Sequence, residues 1–281
     1  MNATSPLEYH EHIPRGALAH RVKCLWALRA PASPAEFEPV FPDGCPELVL
    51  NLADPFEREH PAGIERQAPA LLLGQLLAPV RLRPTGRSDL VGIRFHPWGL
   101  WRLFDAPPME LAGQSVAAPT LQPALGPALA GQLLEIPELG ARCAALERAL
   151  VVHGFGSACP PPPASVRALA LGTVRSVTHA SRLGNVSCRQ VERQCTAWTG
   201  LAPRELIRLG RFQRALGHLR HRPERTLAWI AHASGFADHA HFTRDFGCFA
   251  GLTPSAFRQT LGGLTAAFLA DGDAPAGDLF D

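Results

Sequence analysis

The stretch GFADHAHFTRDF, residues 235–246, sets two histidines two positions apart beside an arginine. Paired histidines can ligate a metal ion, and an arginine can bind a phosphate or a nucleobase edge. Spacing separates the two chemistries. A helix turns about 100° per residue, so His239 and His241 lie roughly 200° apart and cannot share an ion. A helical metal pair needs i, i+4 spacing. Phe242, Phe246 and Phe249 make one apolar stripe that must face a core. Ala240 and Arg244 lie opposite it, with Thr243 and His241 on the shoulders. A helix face with an arginine and no large apolar group suits the DNA major groove.

A second stretch, CRQVERQCTAW (188–198), repeats the arrangement. Val191, Cys195 and Trp198 share the expected buried stripe. Arg189 and Arg193 lie opposite, flanked by Gln190 and Glu192. Arginine to guanine O6/N7 is the commonest specific base contact, and a glutamate can accept from cytosine N4 or orient neighbouring arginines. Most surface arginines touch phosphate or water instead. Ser187, Arg175 and Arg204 are the candidates for phosphate.

Charge supports a polyanion partner. Residues 164–262 hold 14 arginines against 5 acidic side chains, while residues 1–163 hold 13 basic and 16 acidic, and residues 263–281 hold four aspartates and no base. Arginine is the general basic residue here, with a single lysine in the chain. That explains the residue type and leaves the segregation unexplained.

The elements that position these helices follow from punctuation. CPPPPAS (159–165) cannot lie inside a helix or a central strand, so it reads as a stiff spacer where the charge changes sign. We expect a regulatory domain over 1–158, a linker over 159–165, an all-helical domain over 164–262 and a disordered acidic tail over 263–281. Seven helices are expected after the linker, near 164–171, 175–182, 187–198, 203–219, 226–233, 238–248 and 254–261; of the punctuating glycines Gly184, Gly200, Gly210, Gly235 and Gly251, only Gly210 falls inside one. Residues 178–206 and 227–257 are half-repeats: a short helix, a glycine turn at Gly184 or Gly235, a polar-led helix, then Gly-Leu-x-Pro at 200–203 or 251–254. Helix, tight turn and helix is the helix-turn-helix, its turn glycine supplying φ > 0. The helix RELIRLGRFQRALGHLR joins the two units.

Before the linker, short strands alternate with turns: HRVKCLWALRA, FEPVF, PELVLNL, ALLLGQ, PVRLR and SDLVGIRF. Leu48, Leu50 and Leu52 share one face, and Glu47, Val49 and Asn51 the other. A helical pattern follows from Pro97, in PWGLWRLF and in PELGARCAALERALVV, where Leu139, Cys143, Leu146 and Leu150 align. The expected fold is multi-domain α+β: a small β-sandwich or barrel with appended helices, then an all-α tandem helix-turn-helix domain.

The pattern IAHASGFADHAHFTRDFGCFAGLTPSAFR resembles the DNA-binding domain of AraC/XylS-family transcription regulators. FPDGCPELVLNL and VGIRFHPWGLWRLF resemble a domain of uncharacterised function that often precedes such readers. The resemblance implies base contacts at His239, Ala240, His241, Thr243 and Arg244. Ala240 is small where relatives often carry a longer polar group, and His241 has a second candidate role as a brace for the turn. The resemblance implies a first domain that senses a small molecule or supports dimerisation. Double-stranded DNA is the expected partner, with an effector, RNA polymerase and a second copy of the chain as further candidates.

An effector pocket, if the polar faces turn inward, draws on Asp43, Glu47, Asn51, Arg94 and His96; facing water is the alternative. The stripe Leu139–Leu146–Leu150 packs on its own domain or forms a dimer helix. Seven cysteines in no ligand ladder fit neither a disulfide framework nor a zinc finger. No cofactor or metal is expected. His10, His12, His20 and His96 are the only material for a metal site, and His10 and His12 share a face if 9–13 is a strand. No nucleophile–base pair or phosphate-binding glycine loop marks an active site. The competing reading is an enzyme, or a metal or thiol sensor, carried to DNA by the basic half. No leader and no run of about 18 apolar residues is seen, so a cytoplasmic protein is expected.

Overall fold

The computed structural model describes residues 7–32, 36–156 and 160–260. The acidic tail at 263–281 and Cys159 lie outside them. The described residues form two compact units: those within 7–38, 45–75 and 80–161, and those within 39–44, 76–79 and 162–260.

The strands are β1 (Glu8–His12), β2 (Val22–Ala30), β3 (Glu38–Val40), β4 (Glu47–Asn51), β5 (Phe56–His60), β6 (Gly63–Arg66), β7 (Ala70–Leu73), β8 (Val80–Pro84), β9 (Ser88–Phe95) and β10 (Ser115–Ala117); all fall in the first unit except the end of β3 from Pro39. They make a six-stranded sheet, β1-β2-β9-β4-β7-β10, and a four-stranded sheet, β3-β8-β5-β6. Strands β2 and β9 pair centrally and are buried on both faces, so apolar residues run consecutively in VKCLWALRA and SDLVGIRF. Strand β4 alternates, with Leu48 and Leu50 buried and Glu47, Val49 and Asn51 half-buried. In register, Leu48 lies opposite Ile93 on β9 and Leu72 on β7.

Helices α1 (Pro108–Leu111), α2 (Ala118–Leu121), α3 (Pro127–Leu134) and α4 (Leu139–Val152) follow the last long strand. Leu139, Cys143, Leu146 and Leu150 of α4 share one core with Leu25, Ala27, Leu48, Leu50, Val91, Ile93 and Phe95. The expected stripe therefore packs on its own sheet. A fully buried ion pair, Arg142 with Asp89, pins α4 to β9, and the same guanidinium donates to the Ile136 carbonyl at 2.8 and 3.1 Å. Each charge has its partners, which is the condition for burying it.

PWGLWRLF is not a helix. Residues 97–106 form successive turns closed by Gly99 N–H to His96 O, Trp101 N–H to Trp98 O and Leu103 N–H to Leu100 O. Buried Arg21 donates to the carbonyls of Gly99 and Trp101, so side chain replaces helix as their partner. Strands β5, β6 and β10 carry no alternating apolar signal. FEREH is half-polar, GIER is exposed, and β10 has three residues; pairing with neighbours defines them. Residues 8–12 do form a strand, but His12 Nε2 lies 2.7 Å from Glu147 and His10 abuts Gly140. Among the described residues no group of three or more His, Cys, Asp or Glu could hold a metal ion.

The helices of the second unit are α5 (Ala164–Ala170), α6 (Val177–Gly184), α7 (Cys188–Thr199), α8 (Pro203–His221), α9 (Leu227–Ser234), α10 (His239–Ala250) and α11 (Pro254–Thr260). Its core is aromatic: Phe212, Phe236, Phe242, Phe246, Phe249 and Phe257 are all buried. Ring centroids within it lie 5.0–5.6 Å apart, mostly edge-on or tilted, the geometry the ring quadrupoles favour. No helix among the described residues is long and apolar enough to cross a membrane.

Candidate nucleic-acid interface

Two three-helix units share the long helix α8. The first is α5–α6–α7 and the second α9–α10–α11. Helices α7 and α10, the second helix of each helix-turn-helix pair α6–α7 and α9–α10, start on polar caps. Ser187 Oγ accepts from Gln190 N–H at 3.2 Å, and Asp238 Oδ1 from His241 N–H at 2.7 Å. Each ends on a left-handed glycine, Gly200 (φ 79°) and Gly251 (φ 69°), followed by a proline that opens the next helix, Pro203 or Pro254.

The two turns reach the same geometry differently. Gly235 takes the left-handed conformation after α9 (φ 87°). In the first unit that residue is Asn185 (φ 49°), one of the few non-glycine types that tolerates it. Gly184 is still helical, and a Cβ there would sit 3.1 Å from Ser165 Cβ on α5. Close approach to α5, not positive φ, thus accounts for that glycine.

On α7, Val191 and Cys195 are fully buried and Trp198 half-buried, while Arg189, Glu192 and Arg193 are exposed and Gln190 is partly exposed. On α10, Phe242, Phe246 and Phe249 are buried, while His239, Ala240 and Arg244 are exposed and Thr243 is half-exposed, its Oγ1 3.5 Å from His239 Nδ1. Arg175 and Arg204 are exposed near the helix starts, and Ser187 is committed as a cap. An open depression of about 650 Å³ on α6 is lined by Ser176, Thr178, His179, Arg182 and Leu183.

His241 is held rather than displayed. Its Nδ1 lies 3.4 Å from the Ala237 amide and its Nε2 3.2 Å from Asp245 Oδ2. The tautomer with a proton on Nε2 satisfies these two contacts, and it leaves Nε2 unable to accept from Arg211. Arg211 Nη1 lies 3.0 Å from the same Nε2. Asp245 is buried on the side of α10 toward α8, where Arg208 donates to its Oδ1 from Nε at 3.1 Å and Nη2 at 2.9 Å. Burial pushes the Asp245 carboxyl up, but the Arg208 and His241 bonds outweigh it and leave the group below its ordinary value. Sequence inspection missed Asp245, Arg208 and Arg211. The i, i+4 pair His241–Asp245 was the one available signal.

The expected pocket residues of the first unit are only partly brought together. Arg94 Nε donates to Glu47 Oε1 at 2.8 Å, and Trp26 Nε1 donates to the same oxygen at 3.2 Å. Trp26 lies flat on Gly92, where a Cβ would stand 2.0 Å from its ring, and stacks with Tyr9 at 6.5 Å. Cys24, Leu28, Leu90, Val49 and Phe56 complete this face between the two sheets. The face is thus filled by indole and phenol; the alternation of KCLWALR could have pointed to Trp26, whereas Tyr9 arrives from the neighbouring strand β1. Asn51 closes a turn, accepting from Ala53 N–H and donating to Asp54 O. His96 stacks on Trp98 at 5.0 Å, and burial pushes its pKa down to about 4. Asp43 falls in the 39–44 segment grouped with the second unit.

A compact basic unit with two capped helices, each showing a polar face opposite a buried stripe, defines a DNA-binding transcription regulator of the helix-turn-helix class. Residues 180–260 match the helix-turn-helix domain family of AraC type, and residues 10–117 match a domain of unknown function, DUF6597. The chain thus carries a helix-turn-helix domain behind a DUF6597 domain. No curated protein matches it. Among solved structures it is similar to ToxT from Vibrio cholerae at 1.65 Å resolution (TM-score 0.46, 11% identity, 84% of this chain and 99% of that one). It is also similar to wild-type ToxT with bound unsaturated fatty acid (TM-score 0.42, 11% identity, 92% and 97%). A likeness this distant carries no functional weight.

Proposed function

We propose that the chain reads a bipartite DNA sequence, with α7 and α10 entering successive major grooves about 34 Å apart on one face of the duplex. The observation that carries this reading is the repeated pairing of a buried apolar stripe with an exposed polar one: Arg189, Glu192 and Arg193 on α7, and His239, Ala240 and Arg244 on α10. Arg189, Arg193 and Arg244 suit guanine edges; Glu192 suits cytosine; Gln190, His239 and Thr243 are further base contacts. Ala240 leaves room for a thymine methyl. His241 positions α10 rather than reading a base. Arg175 and Arg204 neutralise phosphates, and the Ser187 hydroxyl can add one bond there. Residues 1–158 act as the regulatory domain; because Trp26 and Tyr9 fill the face that carries Glu47 and Arg94, a small-molecule effector of this domain binds elsewhere on it. RNA polymerase and a second copy of the chain are the partners a regulator of this kind takes. The reading assigns no catalytic role.

The test is selection of bound sequences from a random duplex pool by the full chain at about 150 mM salt, where non-specific phosphate attraction is weakened. Two short motifs about one helical turn apart are expected, and Arg193→Ala should relax one position at about 1–3 kcal/mol. A single motif, or none with or without candidate effectors, would refute the tandem reading.

A further inference from the structure

We infer that Arg214 locks the two helix-turn-helix units into one rigid reader, and so sets the DNA spacing the protein accepts. Arg214 lies in the middle of α8, the helix against which α5, α7, α9 and α10 all pack. Its side chain is buried, 8% exposed. Nε and Nη2 donate to the carbonyl of Ser234, the last residue of α9, at 3.3 and 3.2 Å, while Nη1 reaches the carbonyl of Gly172, just past α5, at 3.4 Å. One guanidinium therefore ties the first unit to the second.

The chemistry fits the place. The last carbonyls of a helix lack intrahelical partners and carry partial negative charge, so a cation there is favoured. Two helix ends converge on this one side chain. Guanidinium is planar and presents five donors in a fixed fork, so it can serve carbonyls lying in two directions; an ammonium cannot hold that geometry. Burial, with Arg175 and Arg211 nearby, lowers its pKa to about 10, which leaves it charged at neutral pH. Gly210, one turn earlier on α8, shares the junction: a Cβ there would touch Arg214 Nη1 at 3.6 Å and Gly172 Cα at 3.7 Å. A glycine inside a helix is otherwise unfavourable. At these distances a Cβ would make ordinary van der Waals contact, so Gly210 marks how closely the chain after α5 packs on α8 rather than a requirement for glycine.

A rigid reader presents α7 and α10 at one separation and one rotational phase. Each added base pair rotates the second half-site by roughly 34° about the duplex axis. Arg214 is a positioning residue in this scheme, and the inference rests on the tandem reading proposed above.

The experiment measures affinity of the full chain for the selected two-motif site and for the same site with two or five base pairs inserted. It compares wild type, Arg214→Met and Arg214→Lys. Wild type should lose on the order of 100-fold on insertion, because the second unit can no longer engage. Both variants should bind the native spacing about tenfold more weakly yet lose less than about fivefold on insertion, because a hinged pair adapts. Without a locking role the variants would weaken every site by the same factor, leaving the insertion ratio unchanged. That result, with circular dichroism showing the Lys variant folded, overturns the inference and leaves the tandem reading intact. A wild type indifferent to insertion overturns both.

Discussion

Asp245 sits on a helix proposed to face DNA, and two accounts of it predict opposite signs. If it is only a carboxylate near a polyanion, removing its charge strengthens binding to every duplex. If it anchors α10, removing the charge weakens specific binding. The perturbation is Asp245→Asn, which keeps the shape, retains an acceptor for Arg208 and loses the acceptor for His241. The carboxylate is 8% exposed and Arg208 is 38% exposed. A hydrogen bond to a charged group is worth about 1.5–3 kcal/mol, and the exposure of Arg208 screens part of it, so the loss should be about 1–2 kcal/mol. That is about 5–30-fold in an equilibrium constant. Fluorescence anisotropy on the selected and a scrambled duplex would show the specific site weakened within that range and the scrambled one unchanged or slightly tighter. Equal tightening on both would refute the anchoring role. The same anchor has a pH signature. Because the folded carboxyl titrates below its ordinary value, its contribution is present above about pH 3.9 and is lost as pH falls through the depressed value. The difference in urea midpoint between wild type and variant should be clear at pH 7 and vanish in strong acid.

Phe246 is fully buried, with neighbouring rings of Phe212, Phe242 and Phe257 at 5.2, 5.6 and 5.6 Å. Phe246→Ala should destabilise the second unit by about 3–5 kcal/mol, and Phe246→Leu by much less, as read by urea denaturation. Cys188 and Cys248 are exposed, whereas burial pushes the thiols of Cys24, Cys143 and Cys195 up to about 12, 11 and 12. A disulfide reagent at pH 8 should label Cys188 and Cys248 promptly and those three only on unfolding. Fast labelling of Cys195 in the native protein would contradict the buried stripe of α7.

The helical half was legible because its signals are local. Caps at Ser187 and Asp238, prolines at 203 and 254 and apolar stripes of period 3.6 act within one or two turns, so seven helices were placed within two or three residues of their observed ends. Local periodicity also gave the inward faces of β4 and α4. It failed where partners are remote. PWGLWRLF has helical spacing, yet Arg21, about 80 residues away, takes the carbonyls a helix would use. FEREH and GIER become strands only by pairing with each other and with β8. Gly184 resembled a turn glycine until Ser165 was seen against it.

Residue type and helical phase were enough to give the helix-turn-helix class and the exposed faces of α7 and α10, because both are local properties of the chain. Tertiary structure alone decided what holds those helices. Arg208, Arg211 and Arg214 are indistinguishable in sequence from the other arginines of a basic segment. Packing buries or half-buries them against Asp245, His241, Ser234 and Gly172, residues 20 to 42 positions away, and burial turns a generic charge into a specific bond.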